Sequence, residues 1–140
     1  RIVFSLLAGS FLMLCQIESF SQSITTNNPT GSPYCAGATI TVPFTSNSVT
    51  FGPGNQFTVQ LATDATFTSF VSLTPVTTST ATSGNISATI PFNTASGATY
   101  RVRIVSSNPV ITGSINGSNI TINAPSISVP SFAGTSFCLN

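Results

Sequence analysis

At 140 residues the chain has room for one ordinary domain and not for two of typical size. Charged side chains fill only 4% of it and the net charge is +1, so there is no basic field to gather phosphates, which weighs against nucleic acid as a partner. Histidine is absent, which excludes histidine-based triads and zinc sites within this segment. Solubility has to rest on hydroxyls and amides. Serine and threonine fill about a third of the positions, and threonine favours strands.

The amino-terminal stretch differs in kind from the rest. Arg1 precedes "IVFSLLAGSFLMLC", an apolar run shorter than the roughly 20 residues of a membrane-spanning helix, and the polar "QIESFSQS" follows. This is the pattern of a secretory signal-peptide helix over residues 1–21, with small residues at Ser19 and Ser21 for cleavage and Gln22 as the new amino terminus. The start on Arg1 suggests that a residue or more precedes it. A lipoprotein signal around Cys15 is the alternative. It fits less well, because the residue before a lipidated cysteine should be small and here it is Leu14. The expected location is secreted or cell surface, with no membrane span after cleavage.

From Gln22 onward the runs alternate with period two, as half-buried strands do. A short "SIT" near residue 24 comes first. "ATITVPF" then places Ala38, Ile40, Val42 and Phe44 on one face and Thr39 and Thr41 on the other. "FTVQL" turns Phe57, Val59 and Leu61 inward, and a short "FVSL" follows near residue 71. "ISATIPF" groups Ile86, Ala88, Ile90 and Phe92, "YRVRI" groups Tyr100, Val102 and Ile104, and "NITI" ends at Ile122. Turn clusters such as "FGPGN", "NTASG", "SSNP" and "INGSN" separate the runs, and "FGPGN" reads as a hairpin connection. Pro43 and Pro91 cannot donate to a central ladder, so each is expected at a strand exit. About seven short strands at this spacing predict an all-β fold, an immunoglobulin-like antiparallel β-sandwich.

The chain carries an internal echo. "GSPYC", residues 31–35, returns as "GTSFC", residues 134–138, and the same offset carries "SIT" onto "SIS" at residues 126–128. The economical reading is a tandem array: one module over residues 22–124, and the start of a second, truncated one over residues 125–140, with proline in "NAP" stiffening the joint. A bond between Cys35 and Cys138 is the first guess for a secreted chain. If the two are equivalent positions in successive modules, however, they lie too far apart for a disulfide. That argument favours Cys35 as a free, buried thiol over a disulfide with a partner outside this sequence. No histidine is present to activate it for catalysis.

Few side chains carry chemistry. After cleavage Asp64 is the only carboxylate side chain left, too little for a paired-carboxylate hydrolase or a calcium cage, and in "ATDATF" it is expected to shape a turn. No catalytic, cofactor-binding or metal-binding residue is assigned. Arg101 and Arg103 fall on the outward face of the "YRVRI" strand. They are the candidate surface contacts, for an anionic glycan or a neighbouring module, although keeping a sheet face soluble is the plainer role. Phe51, Phe67 and Phe70 lie in or beside loops and read as lids over the sandwich ends.

"SPYCAGATITVPF", "GNQFTVQL", "ISATIPFNTASGATYRVRIVSSNP" and "NGSNITI" resemble the Ig-like repeat of very large secreted or surface proteins of Bacteroidota, over essentially the whole mature segment. "GATYRVRIVSSNP" is also similar to the end of a fibronectin type III module. The resemblance implies that Tyr100 takes the tyrosine-corner position, with its ring in the core and its hydroxyl bonded back to the preceding connection. It also implies an adhesin-like or spacer role, often with export by the type IX route. The sequence shows no type IX sorting signal, so that route is an implication only. The expected function is a non-catalytic structural or adhesive module whose partners are neighbouring modules, glycans or surface polymers. The alternative is an accessory or carbohydrate-binding domain of a secreted enzyme whose catalytic part is elsewhere.

Overall fold

Threonine-rich alternation produces strands throughout residues 21–125, the part of the chain that the computed structural model describes. They are β1 (Ser23–Thr26), β2 (Tyr34–Cys35), β3 (Thr39–Asn47), β4 (Gln56–Ala62), β5 (Phe70–Ser72), β6 (Thr77–Thr78), β7 (Ser83–Thr89), β8 (Gly97–Ser107), β9 (Val110–Thr112) and β10 (Ile120–Asn123). No helix occurs among the described residues. The signal peptide expected over residues 1–21 and the second module expected over residues 125–140 lie outside them, save for Ser21 and Pro125, and so do Cys15, "SIS" and "GTSFC".

The strands form two sheets, β1-β3-β7 and β2-β10-β8-β4-β5, with β6 also paired to β4 and β9 to β8. The arrangement is that of a β-sandwich. The inward faces interleave as the alternation predicts: Ile40, Val42 and Phe44 of β3 and Ile86 and Ala88 of β7 meet Phe57, Val59 and Leu61 of β4 and Val102 and Ile104 of β8. Phe57 is fully buried, with the rings of Phe44 and Phe51 at 4.7 Å and 4.9 Å. Burying each such side chain contributes about 1.5–3 kcal/mol. Phe51 is therefore part of the core and not a lid.

Four local expectations change. "FGPGN" is no hairpin, because β3 and β4 belong to different sheets. Gly52, Pro53, Gly54 and Asn55 instead make a tight turn within the crossing, with the Asn55 amide donating to the Gly52 carbonyl at 3.2 Å and Gly54 at φ 74°, the backbone that favours glycine after proline. Pro43 lies inside β3, whose pairing with β7 continues past it to Thr45. Pairing with β1 does stop there: the Asn27 amide donates to the Pro43 carbonyl at 2.9 Å, and proline has no N–H to return. Pro91 does follow the end of β7, and Phe92 beyond it is 60% exposed instead of joining Ile90 inside. The strand count rises from about seven to ten because β2, β6 and β9 are too short to show alternation.

The last edge of the larger sheet is patched by side chains. β9 pairs with Val105, Ser106 and Ser107, while β10 pairs with Gly97 and Tyr100, which leaves Val102 and Ile104 between them. There the buried Asn116 accepts from the Val102 amide at 2.9 Å and returns its own amide to the Val102 carbonyl at 3.0 Å. The buried Thr26 hydroxyl accepts from the Ile104 amide at 3.0 Å, and the Gly113 amide donates to the Ile104 carbonyl at 2.8 Å. Every buried side-chain polar atom among the described residues has a partner, as a well-formed interior requires.

The chain passes through the sandwich from end to end. Ser23 opens β1 opposite Asn47, the last residue of β3. Asn123 closes β10 opposite Cys35 and accepts from the Ala36 amide at 2.8 Å, just ahead of the start of β3. Entry and exit are thus separated by the length of β3, about 30 Å at roughly 3.3 Å per residue.

Candidate interaction surface

The solvent face of the larger sheet carries the arginine pair. Pairing puts Phe70, Ala62 and Arg101 in one cross-strand row and Ser72, Gln60 and Arg103 in the next. Residues in such rows share a face and touch. Both arginines are half-buried, as the outward positions of β8 allow, but their surroundings separate them.

Arg101 is bound into the connection ahead of β10. Its Nε donates to Asn119 Oδ1 at 2.8 Å and its Nη1 to the Asn116 carbonyl at 2.6 Å. Asn116 in turn donates from Nδ2 to Ser118 and Asn28. The guanidinium thus holds the loop that patches the β8 edge, a structural task beyond keeping the face soluble.

Arg103 faces rings. Its Cζ lies 4.4 Å from the Phe67 centroid and 4.9 Å from the Phe70 centroid, and Nε donates to Gln60 Oε1 at 2.7 Å. The two rings are 6.1 Å apart and tilted by 32°, so together they form a shelf under the cation, the arrangement that ring quadrupoles favour. Phe67 and Phe70 thus stack on Arg103 at the outer face of the sheet. Phe67 holds φ 54°, a region that bulky residues avoid. The turn before it is fixed by Asp64, whose Oδ1 accepts from the Thr66 amide at 2.8 Å and the Thr66 hydroxyl at 2.5 Å. The Thr66 hydroxyl and amide hold the Asp64 carboxyl below its ordinary pKa. Asp64 thus shapes the turn.

A cleft of about 340 Å³ opens at the exit end, beside the same shelf. Buried Leu61 and Tyr100 and exposed Val71 supply apolar surface, while Thr63, Ser69, Asn93 and Thr94 supply hydroxyls and an amide. Phe70 is 44% exposed and belongs to both features, lining the cleft and stacking on Arg103. No charged side chain lines the cleft. Gln60 beside Arg103, and Thr63, Ser69, Asn93 and Thr94 in the cleft, carry no motif that marks them as site residues. Alternation in "FTVQL" marks Gln60 as outward, but only strand pairing places it beside Arg103.

Tyr100 stands behind the cleft with a buried ring, and its hydroxyl donates to the Ala95 carbonyl at 2.8 Å. Tyr34 makes a similar return bond to the Thr30 carbonyl, and burial raises its pKa. Cys35 is half-buried and disulfide-bonded, not a free thiol. Only a separation of a domain length would keep the thiol from pairing with its equivalent in a following module. In the fold, parallel pairing of β2 with β10 sets Cys35 opposite Asn123, so the chain leaves the sandwich beside it.

Among the described residues no helix is long and apolar enough to cross a membrane, and no group of three or more His, Cys, Asp or Glu is placed to hold a metal ion. No family model, curated protein or solved structure matches the chain. What the fold and surface define is a β-sandwich with a cation-on-aromatic shelf and an adjoining neutral cleft.

Proposed function

We propose that the chain is a non-catalytic, extracellular immunoglobulin-like module, a spacer and adhesive unit of a larger secreted or cell-surface protein. The observation that carries this reading is the passage of the backbone from one end of the sandwich to the other. Modules connected in this way extend as a line, each adding about 30 Å at roughly 3.3 Å per residue of β3. The strand order supports the immunoglobulin-like assignment: β1, β3 and β7 take the places of strands A, B and E, and β4, β8 and β10 those of C, F and G. Export rests on the residues 1–21 pattern, and neighbouring modules are the first partners. Weak contacts repeated along such an array gain strength by multivalency.

The test is to read the encoding gene beyond Asn140 and to treat intact cells with protease. Further copies of the pattern of residues 38–122, in protein cleaved at the cell surface or found in the medium, are expected. A following stretch without that pattern overturns the array, and a protein retained inside intact cells overturns the extracellular role. The cleft favours one second reading, an accessory carbohydrate-binding domain of a secreted enzyme. Under it the following residues would be rich in His, Asp and Glu.

A further inference from the structure

We infer that Arg103, the Phe67–Phe70 shelf and the adjoining cleft form a binding site for an acidic polysaccharide, with a uronate carboxylate on Arg103 and a neighbouring sugar ring in the cleft. This rests on the adhesive part of the reading above and names its ligand class.

The first ground is the contrast between the two arginines. Arg101 has two of its nitrogens engaged with Asn119 and Asn116. Arg103 has only Nε engaged, and its Nη atoms make no hydrogen bond among the described residues. The rings beneath and Gln60 at its side hold the guanidinium in one orientation. A fork held in this way accepts a carboxylate with little further ordering. No salt bridge to Asp64, the sole carboxylate side chain between Gln22 and Asn140, is formed by either arginine.

The second ground is the cleft. Its size falls at the small end of ligand pockets, enough for one sugar ring. Ser69 and Thr94 bring hydroxyls and Asn93 an amide that match sugar hydroxyls, and exposed Phe70 offers an apolar surface to the ring's C–H face. An uncharged cleft joined through one phenylalanine to a single cation fits a polymer that alternates neutral ring surface with carboxylate. An acidic peptide would draw its affinity from main-chain pairing along an edge strand, and β5 offers three residues for that.

The test is calorimetric titration of the intact chain with oligogalacturonate, its methyl ester, and oligoglutamate. Oligogalacturonate is expected to bind, more weakly as salt rises, and the neutral ester at least tenfold more weakly. Arg103→Gln should lose about 10- to 100-fold, the value of a hydrogen bond to a charged group. Arg103→Lys keeps the charge without the fork and should fall between. Asn93→Ala, at an exposed position, should weaken binding without altering the urea midpoint, while Arg101→Gln should leave affinity unchanged. Absence of oligogalacturonate binding, equal binding by Arg103→Gln, or oligoglutamate binding as tight as oligogalacturonate would each overturn the site. None of these outcomes bears on the array, which gene reading and surface proteolysis decide.

Discussion

Gly113 shows how much one residue can decide. It is buried between β1 and β8, where an added Cβ would lie 2.6 Å from the Ile104 carbonyl oxygen and 3.0 Å from Ile24 Cγ2. Neither neighbour can withdraw, since one is backbone and the other core. Gly113→Ala is therefore expected to cost about 1–3 kcal/mol by overpacking, read as a lower urea midpoint. A midpoint equal to the parent's would mean that the β8 edge is looser than described. Tyr100 tests a different term. Tyr100→Phe keeps the buried ring and removes only the hydroxyl bond to Ala95, so denaturation should show a loss of about 1 kcal/mol. An unchanged midpoint would count against that bond.

At the scale of elements, β8 organises the larger sheet, and its unpaired stretch is the informative part. The Ile104 amide has only the Thr26 hydroxyl as acceptor. Thr26→Val preserves shape and branching but strands a buried donor, for an expected loss of about 1–3 kcal/mol. The neighbouring exposed Thr25→Val should stay within about 0.5 kcal/mol. Equal effects of the two would show that the Ile104 amide finds another partner. Little of this device is legible in the sequence. "NITI" announces β10, but nothing local says that the edge it covers is shared with a three-residue β9 and two side chains. Such pairings join residues far apart in the chain, as Thr26 and Ile104 are.

For the whole molecule, the scarcity of titratable groups sets a flat pH profile. The folded state lowers the Asp64 pKa, so its contribution is present above about pH 4 and is lost as pH falls through the depressed value. Burial raises the Tyr34 pKa, so its contribution is complete below about pH 10 and is lost as pH rises through the elevated value. With no histidine in the chain, the urea midpoint is expected to stay level from about pH 5 to about pH 8. A midpoint that moved within that window would reveal a coupling absent from the described residues.

The all-β class, the positions of the longer strands and the side chains that each turns inward are all legible in the residue order. Burial imposes a period of two directly on neighbouring residues, so "ATITVPF", "FTVQL" and "YRVRI" declare their faces without reference to anything else. Which strands become neighbours is settled by long-range pairing and packing in the folded chain. That choice bound Arg101 to a loop and set Arg103 on two rings. It also drew Phe51 into the core, left Phe92 in solvent and brought the end of β10 beside Cys35. Alternation specifies a face, and a face acquires a role from whatever distant segment is packed or paired beside it.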